Sequence, residues 1–311
     1  MPLTKTLRTR LTNALKDTRS PATVKEYLSV LERLNPDQKQ IRSLAKYRTK
    51  KMVQHIKDKY AITTQKTILA TLLAVLKASG RDIDKRAVKR LTREFELIFE
   101  EVKKVAKNRK SAKQTDNWLE WKDILSRRDK LEEQALGKDS DYFDAQDWLL
   151  LTLYTAIAPR RVKDYQLMYV VPTMKKADDK DRNYYVVDEK KFVFNNYKTK
   201  KIYGEKVIEL KDCPYMLTVL DYLIDAYPAE LKHKDGFPLM VQERNMKAIK
   251  NSNWVTRRLN KILKKNVSVS MLRHIYLTDK YGDDEVIKNR SIDAMNMGHC
   301  LAQQQDYILK D

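Results

Sequence analysis

Four successive stretches between residues 20 and 107 repeat apolar side chains at the spacing of an α-helix, and no other feature constrains the fold as much. Ser20-Pro21 reads as a helix N-cap followed by proline in the first turn. Val24, Tyr27, Leu28 and Leu31 then share one face of a helix over Ala22–Leu34, which Asn35-Pro36 breaks. A second helix is predicted over Leu44–Tyr60. A third runs over Thr63–Ser79, with Ile68, Leu69, Leu72, Leu73 and Leu76 inward and Gly80 as its stop. A fourth, Arg86–Lys107, is apolar at Leu91, Phe95, Ile98, Phe99 and Val102. Residues 20–107 therefore read as a small all-helical domain with polar faces rich in Lys and Arg. Residues 1–19 read as a basic N-terminal arm, either loose or a short helix.

Residues 108–116 lack apolar periodicity and read as a linker, or as the frayed end of the preceding helix. A second domain, 117–311, begins at Asn117-Trp118. Helices are predicted over Trp121–Leu136, Asp144–Tyr154, Pro214–Tyr227, Asn253–Lys265, Met271–Tyr281 and Val286–Met295. Tyr184–Asp188, Phe192–Asn195 and Lys206–Leu210 read as a three-stranded meander. The expected fold class is α+β, mainly helical with a small antiparallel sheet.

Composition narrows the partners. The chain has 311 residues, enough for two ordinary domains, and a formal charge of +21. Such a charge points to a polyanion, with nucleic acid ahead of an anionic membrane surface, or else serves only solubility. No run of apolar residues is long enough to span a bilayer, and the N-terminus has no apolar signal core. Two cysteines without a CxxC fit a reducing, intracellular setting. The four histidines show no metal-ligand spacing, so no metal site is expected. Six glycines leave no Gly-rich phosphate loop, and no nucleotide cofactor is expected.

Four places in the second domain could carry chemistry. Pro159-Arg160-Arg161-Val162-Lys163-Asp164-Tyr165 puts two arginines between apolar segments, where they must be paired or functional. An Arg161–Asp164 salt bridge is the structural alternative. Tyr197-Lys198-Thr199-Lys200-Lys201 sits between strands and should project as a hairpin, either reaching into a groove or simply solvated. Ser268 or Ser270 can cap a helix that holds Arg273 and His274 in its first turns. Gly298-His299 and Tyr307 close the series. Each signal is weak alone, and their order is what carries weight.

Taken in order, Arg161, a hairpin lysine, Ser270-x-x-Arg273-His274, Gly298-His299 and Tyr307 resemble the catalytic domain of the tyrosine recombinases, the phage-integrase family. The wording Pro-Arg-Arg-x-x-Asp-Tyr and Tyr-Lys-Thr-x-Lys-x-Tyr-Gly looks most like integrases of large DNA viruses, virophages and Polinton-type elements. The resemblance covers roughly 117–311. In the helical domain it extends to architecture and to Ser-Pro-x-Thr-x-x-x-Tyr (Ser20 to Tyr27), which implies a core-binding domain.

The resemblance implies a metal-independent, cofactor-free enzyme that cleaves and rejoins double-stranded DNA through a 3′-phosphotyrosine. Four protomers would act together on DNA. Tyr307 would be the nucleophile. Arg161, Arg273 and His299 would hold the non-bridging phosphate oxygens, which suits bidentate guanidinium donors. Lys198, with Lys200 as alternate, would protonate the 5′-oxygen. Asp164 and His274 would support the site. Lys107, Arg109, Lys110 and Lys113 are candidate phosphate contacts in the linker.

Two features depart from the family pattern. Ser270 stands where most relatives carry His or Lys; serine can hydrogen-bond a phosphate oxygen or the tyrosine but is a poor general base, which would shift acid–base work to the lysine and His299. Only Ile308–Asp311 follow Tyr307, which implies subunit contacts through another surface or a truncated chain. A type IB DNA topoisomerase and a catalytically silent DNA-binding protein of the same fold are the alternative functions.

Overall fold

In the computed structural model, residues 2–35, 39–80, 84–105, 109–281, 287–300, 303–304 and 307–308 are described. The chain divides into two compact units, Met1–Lys107 and Asn108–Asp311.

The first unit is helical: α1 (Lys5–Leu15), α2 (Pro21–Arg33), α3 (Lys50–Lys59), α4 (Ile62–Ala78) and α5 (Lys85–Val105). The most apolar of them, α4, is central and packs against the other four. Its Ile68, Leu69, Leu72, Leu73, Val75 and Leu76 are all buried. The stretch 1–19, read from sequence as a loose arm or a short helix, is helical over α1 and belongs to this core. Leu7, Leu11 and Leu15 recur at four-residue intervals on α1 and are buried. Glu32 of α2 accepts from the Leu3 amide at 3.0 Å and from Arg8 at 2.5 Å, which ties α1 to α2. The helix expected over Leu44–Tyr60 is split. Ala45–Arg48 is a 3-10 turn, because Tyr47 turns inward to donate its hydroxyl to the Leu31 carbonyl at 2.6 Å. Thr49 then caps α3 by accepting from the Met52 amide.

The second unit is α+β. Its helices are α6 (Ala112–Asn117), α7 (Trp121–Ala135), α8 (Tyr142–Thr152), α9 (Val162–Gln166), α10 (Lys200–Tyr203), α11 (Pro214–Ala226), α12 (Ser252–Leu263), α13 (Val269–Tyr281) and α14 (Ile287–Asn296). The strands are β1 (Met168–Val171), β2 (Asn183–Val186), β3 (Lys191–Phe194), β4 (Lys206–Glu209) and β5 (Phe237–Pro238). They form one sheet in the order β4-β3-β2-β1-β5. The expected meander is its β2-β3-β4 part, with antiparallel pairing. The sheet is nevertheless mixed rather than antiparallel, because β1 pairs parallel with β2. β5 adds two residues antiparallel to β1.

The linker reading also changes. Ser111 and Gln114 form a capping box that starts α6. The Asn117 side chain accepts from the Asn266 amide at 2.9 Å, and Lys265 donates to the Asp116 carbonyl at 2.8 Å. Arg109 and Lys113 are exposed, the Lys110 ammonium lies 4.6 Å from the Trp118 ring, and Lys107 lies outside the described residues.

The core of this unit forms around α8. Trp148, Leu149, Leu150 and Leu151 are fully buried, since α7, α11 and α12 surround the helix. Each such side chain stabilises the fold by roughly 1.5–3 kcal/mol relative to exposure. Gln146, inside this apolar shell, is satisfied on both sides by Val241, accepting its amide at 2.7 Å and donating to its carbonyl at 3.1 Å. The chain leaves α8 at Thr152 and enters the arginine pair from the deepest part of the unit.

Candidate active site

The two arginines after α8 divide the roles left open by the sequence. Arg160 is fully buried and structural. Its Nε donates to Asp164 Oδ2 at 2.9 Å, and its Nη1 donates to the Asn296 carbonyl at 2.5 Å. The guanidinium lies over the Phe194 and Tyr197 rings, 3.9 and 4.9 Å from their centroids. The salt bridge expected for Arg161 is therefore made by Arg160 across one helical turn. Burial pushes the Asp164 carboxyl pKa up, and the nearby guanidinium of Arg160 pulls the other way.

Arg161 is only half-buried and stands at the N-cap position of α9 without a side-chain capping bond. Its Nη1 reaches the Gly298 carbonyl at 3.1 Å. Gly298 has φ +70°, and a Cβ there would sit 3.3 Å from Thr199 Oγ1 and 3.5 Å from Arg161 Nη1. The backbone at this point thus needs glycine both for conformation and for close approach.

On α13, Ser268 accepts from the Met271 amide at 3.2 Å and starts the helix. The period of the helix then turns Leu272 and Arg273 inward. Arg273 is 1% exposed. Its Nη2 contacts His299 Nδ1 at 2.7 Å and the Met297 carbonyl at 3.5 Å. A guanidinium only donates, so His299 Nδ1 accepts and the imidazole proton resides on Nε2. Burial, reinforced by Arg273 and Arg161, lowers the His299 pKa to about 3, so the ring is neutral near pH 7. Burial also lowers the Arg273 pKa to about 10, which leaves it charged. Arg273 Nε, Arg273 Nη1 and His299 Nε2 are buried without a hydrogen-bond partner among the described residues.

Tyr307 lies against this group. Its ring centroid is 5.3 Å from that of His299, with the planes 20° apart, and 4.7 Å from that of His274. The Arg273 guanidinium carbon is 4.9 Å from the same ring. His274 Nδ1 donates to the Tyr307 carbonyl at 2.9 Å. The neighbouring Ile308 is buried with Ala158, Leu277, Tyr281 and Met297, which anchors the segment that carries the tyrosine.

The lysines occupy the β3–β4 connection, as the strand pattern implied. Lys198 is exposed. Lys200 is turned to the Lys180 carbonyl at 2.9 Å. Thr199, which sequence reasoning passed over, donates to the Gly298 carbonyl at 2.8 Å and brings the base of the hairpin to Arg161. Its only sequence signal was its place inside Tyr-Lys-Thr-x-Lys. Lys206, at the start of β4, has its pKa lowered by burial and by Arg160. Ser270 is exposed at the start of α13 and makes no side-chain hydrogen bond among the described residues. Arg161, Arg273, His299, His274 and Tyr307 are thus drawn together from three segments, with the lysine hairpin tethered at their edge.

Among the described residues, no group of three or more His, Cys, Asp or Glu side chains could hold a metal ion, and no helix is long and apolar enough to cross a membrane.

No family model matches the chain, and no curated protein matches it. Among solved structures it is similar to the XerA recombinase, at 14% identity and a TM-score of 0.39, over 99% of this chain and 94% of that one. At that level of similarity, function must be reasoned from the side chains themselves.

Proposed function

We propose that this chain is a tyrosine recombinase that cleaves and rejoins double-stranded DNA through a covalent 3′-phosphotyrosine. The observation that carries the reading is the set of buried, unpartnered N–H donors on Arg273 and His299 beside the Tyr307 ring. Burying donors without acceptors is costly unless a ligand supplies the acceptors. A phosphodiester brings two non-bridging oxygens, and its pentacoordinate transition state concentrates more charge on them, so donors fixed in place favour that state over the ground state. Arg161 is the second cation for those oxygens.

In this reading Tyr307 Oη attacks phosphorus, the P–O5′ bond breaks, and Lys198 protonates the leaving oxygen. Reversal with a new 5′-hydroxyl rejoins the strand, so no nucleotide is consumed. The +21 charge supports a DNA partner with strongly salt-dependent affinity. Exchange of strands requires paired sites, which supports assembly of four protomers on DNA. The motif wording supports the narrower reading of an integrase of a viral or other mobile element.

The test is to incubate the protein with supercoiled plasmid carrying the DNA that flanks its gene, then denature with detergent. A protein–DNA adduct that appears with the wild-type chain and disappears in Tyr307→Phe is the expected result. An adduct that survives Tyr307→Phe overturns the nucleophile. Relaxation without exchange between two plasmids identifies a type IB topoisomerase instead.

A further inference from the structure

Tyr307 must lose its hydroxyl proton as it attacks, and Ser270, a poor general base, is exposed and makes no side-chain hydrogen bond among the described residues. We infer that His274 is the proton acceptor for Tyr307, an assignment that rests on the recombinase reading above.

The tautomer follows from the hydrogen bond. The Tyr307 main-chain carbonyl can only accept, so His274 Nδ1 carries the proton in that 2.9 Å contact. The lone pair is then on Nε2, which makes no hydrogen bond among the described residues. The same contact holds the imidazole against the Tyr307 ring, with the ring centroids 4.7 Å apart and the planes tilted by 36°. His299 cannot serve in this way, because Arg273 occupies its Nδ1 and leaves a donor at Nε2. The two imidazoles therefore sit in opposite tautomers around one tyrosine: His299 presents an N–H for the phosphate and His274 a lone pair for the tyrosine proton.

The step balances. The Oη–H proton passes to His274 Nε2, Oη bonds to phosphorus, the P–O5′ bond breaks, and O5′ takes a proton from Lys198 Nζ. Religation returns both protons. The charged and titratable groups facing His274 are Arg273 on its own helix and Tyr307 from the C-terminal segment. Burial and Arg273 hold its pKa below the ordinary histidine value, which keeps it in the accepting form at neutral pH.

The experiment measures single-turnover adduct formation on the same plasmid between pH 5 and 9. In the wild type the rate rises with pH through a midpoint below the ordinary histidine value of about 6.5 and is level at higher pH. His274→Asn retains an N–H where Nδ1 donates but has no basic nitrogen. Its rate is expected to fall about 10²-fold at pH 7. The deficit then shrinks with rising pH, because hydroxide increasingly takes the tyrosine proton in place of the histidine. DNA binding by the variant stays at the wild-type level.

A wild-type-like rate in His274→Asn, or a deficit that is constant across pH, overturns the assignment. The wild-type profile tests it independently of any variant: a rate that climbs to pH 9 without levelling off overturns it too. Absence of any Tyr307-dependent adduct from the wild-type protein is a different result and sinks the recombinase reading itself.

Discussion

Thr199 and Arg161 donate to one oxygen, the carbonyl of Gly298, at 2.8 and 3.1 Å. That shared acceptor joins the lysine hairpin, the first arginine and the segment ending in His299. Thr199, next to Lys198, is thereby tied to the segment ending in His299, whereas Lys198 itself is exposed.

Thr199→Val keeps the shape and removes the donor. The loss of one hydrogen bond, about 1 kcal/mol, lowers the cleavage rate roughly five-fold. Thr199→Ser restores it. On DNA with sulfur in place of the 5′-bridging oxygen, where the leaving thiolate needs no proton, Thr199→Val and Lys198→Ala should both cleave nearly as fast as wild type. A Thr199→Val defect that persists on the sulfur substrate would show that the bond does not act through Lys198.

Arg160 and Arg161, adjacent in sequence, should separate in a stability assay. Arg160→Met leaves Asp164 buried and unpaired and costs about 3–5 kcal/mol in urea unfolding. Arg160→Met with Asp164→Leu recovers much of that loss. Arg161→Ala changes stability by less than about 1 kcal/mol but lowers adduct formation strongly. Equal effects on stability from both single variants would contradict the division of roles.

Arg273→Ala is expected to slow adduct formation by about 10²–10³-fold, since it removes the donors aimed at the developing charge. Arg273→Lys keeps the charge but not the planar fork and should recover only part of the rate. The check is single-turnover cleavage at a DNA concentration that saturates each variant.

His299 makes stability depend on acid. Its folded pKa of about 3 lies below the unfolded value near 6.5, so the unfolded chain binds more protons between those limits. Stability is therefore fully present above about pH 6.5 and falls as pH drops towards 3, at no more than about 1.4 kcal/mol per pH unit from this residue. Arg273, Arg161 and Tyr307 face the ring, and neither arginine changes charge in this window. His299→Gln should flatten the wild-type slope between pH 6.5 and 4 in thermal unfolding curves. An unchanged slope would place the titration elsewhere.

Sequence determined what is local. The apolar period of α2, α4 and α5, the caps at Ser20 and Pro21, and the strand pattern of β2, β3 and β4 are carried by neighbours in the chain, and the helices and the meander could be read from them. The order Arg161, Arg273, His299, Tyr307 was legible for the same reason, because each residue lies in a short motif. Tertiary structure decided what depends on distant partners. β5 is only two residues long, and β1, although as long as β2, β3 and β4, joins the sheet by parallel pairing with β2 rather than through a hairpin. The choice of Arg160 over Arg161 for Asp164 depends on the Phe194 and Tyr197 rings and on the Asn296 carbonyl. The tautomers of His274 and His299 depend on a carbonyl and a guanidinium that only the fold brings to them. A sequence pattern records residue type and spacing, but the partner that makes a nitrogen donate or accept is chosen by packing.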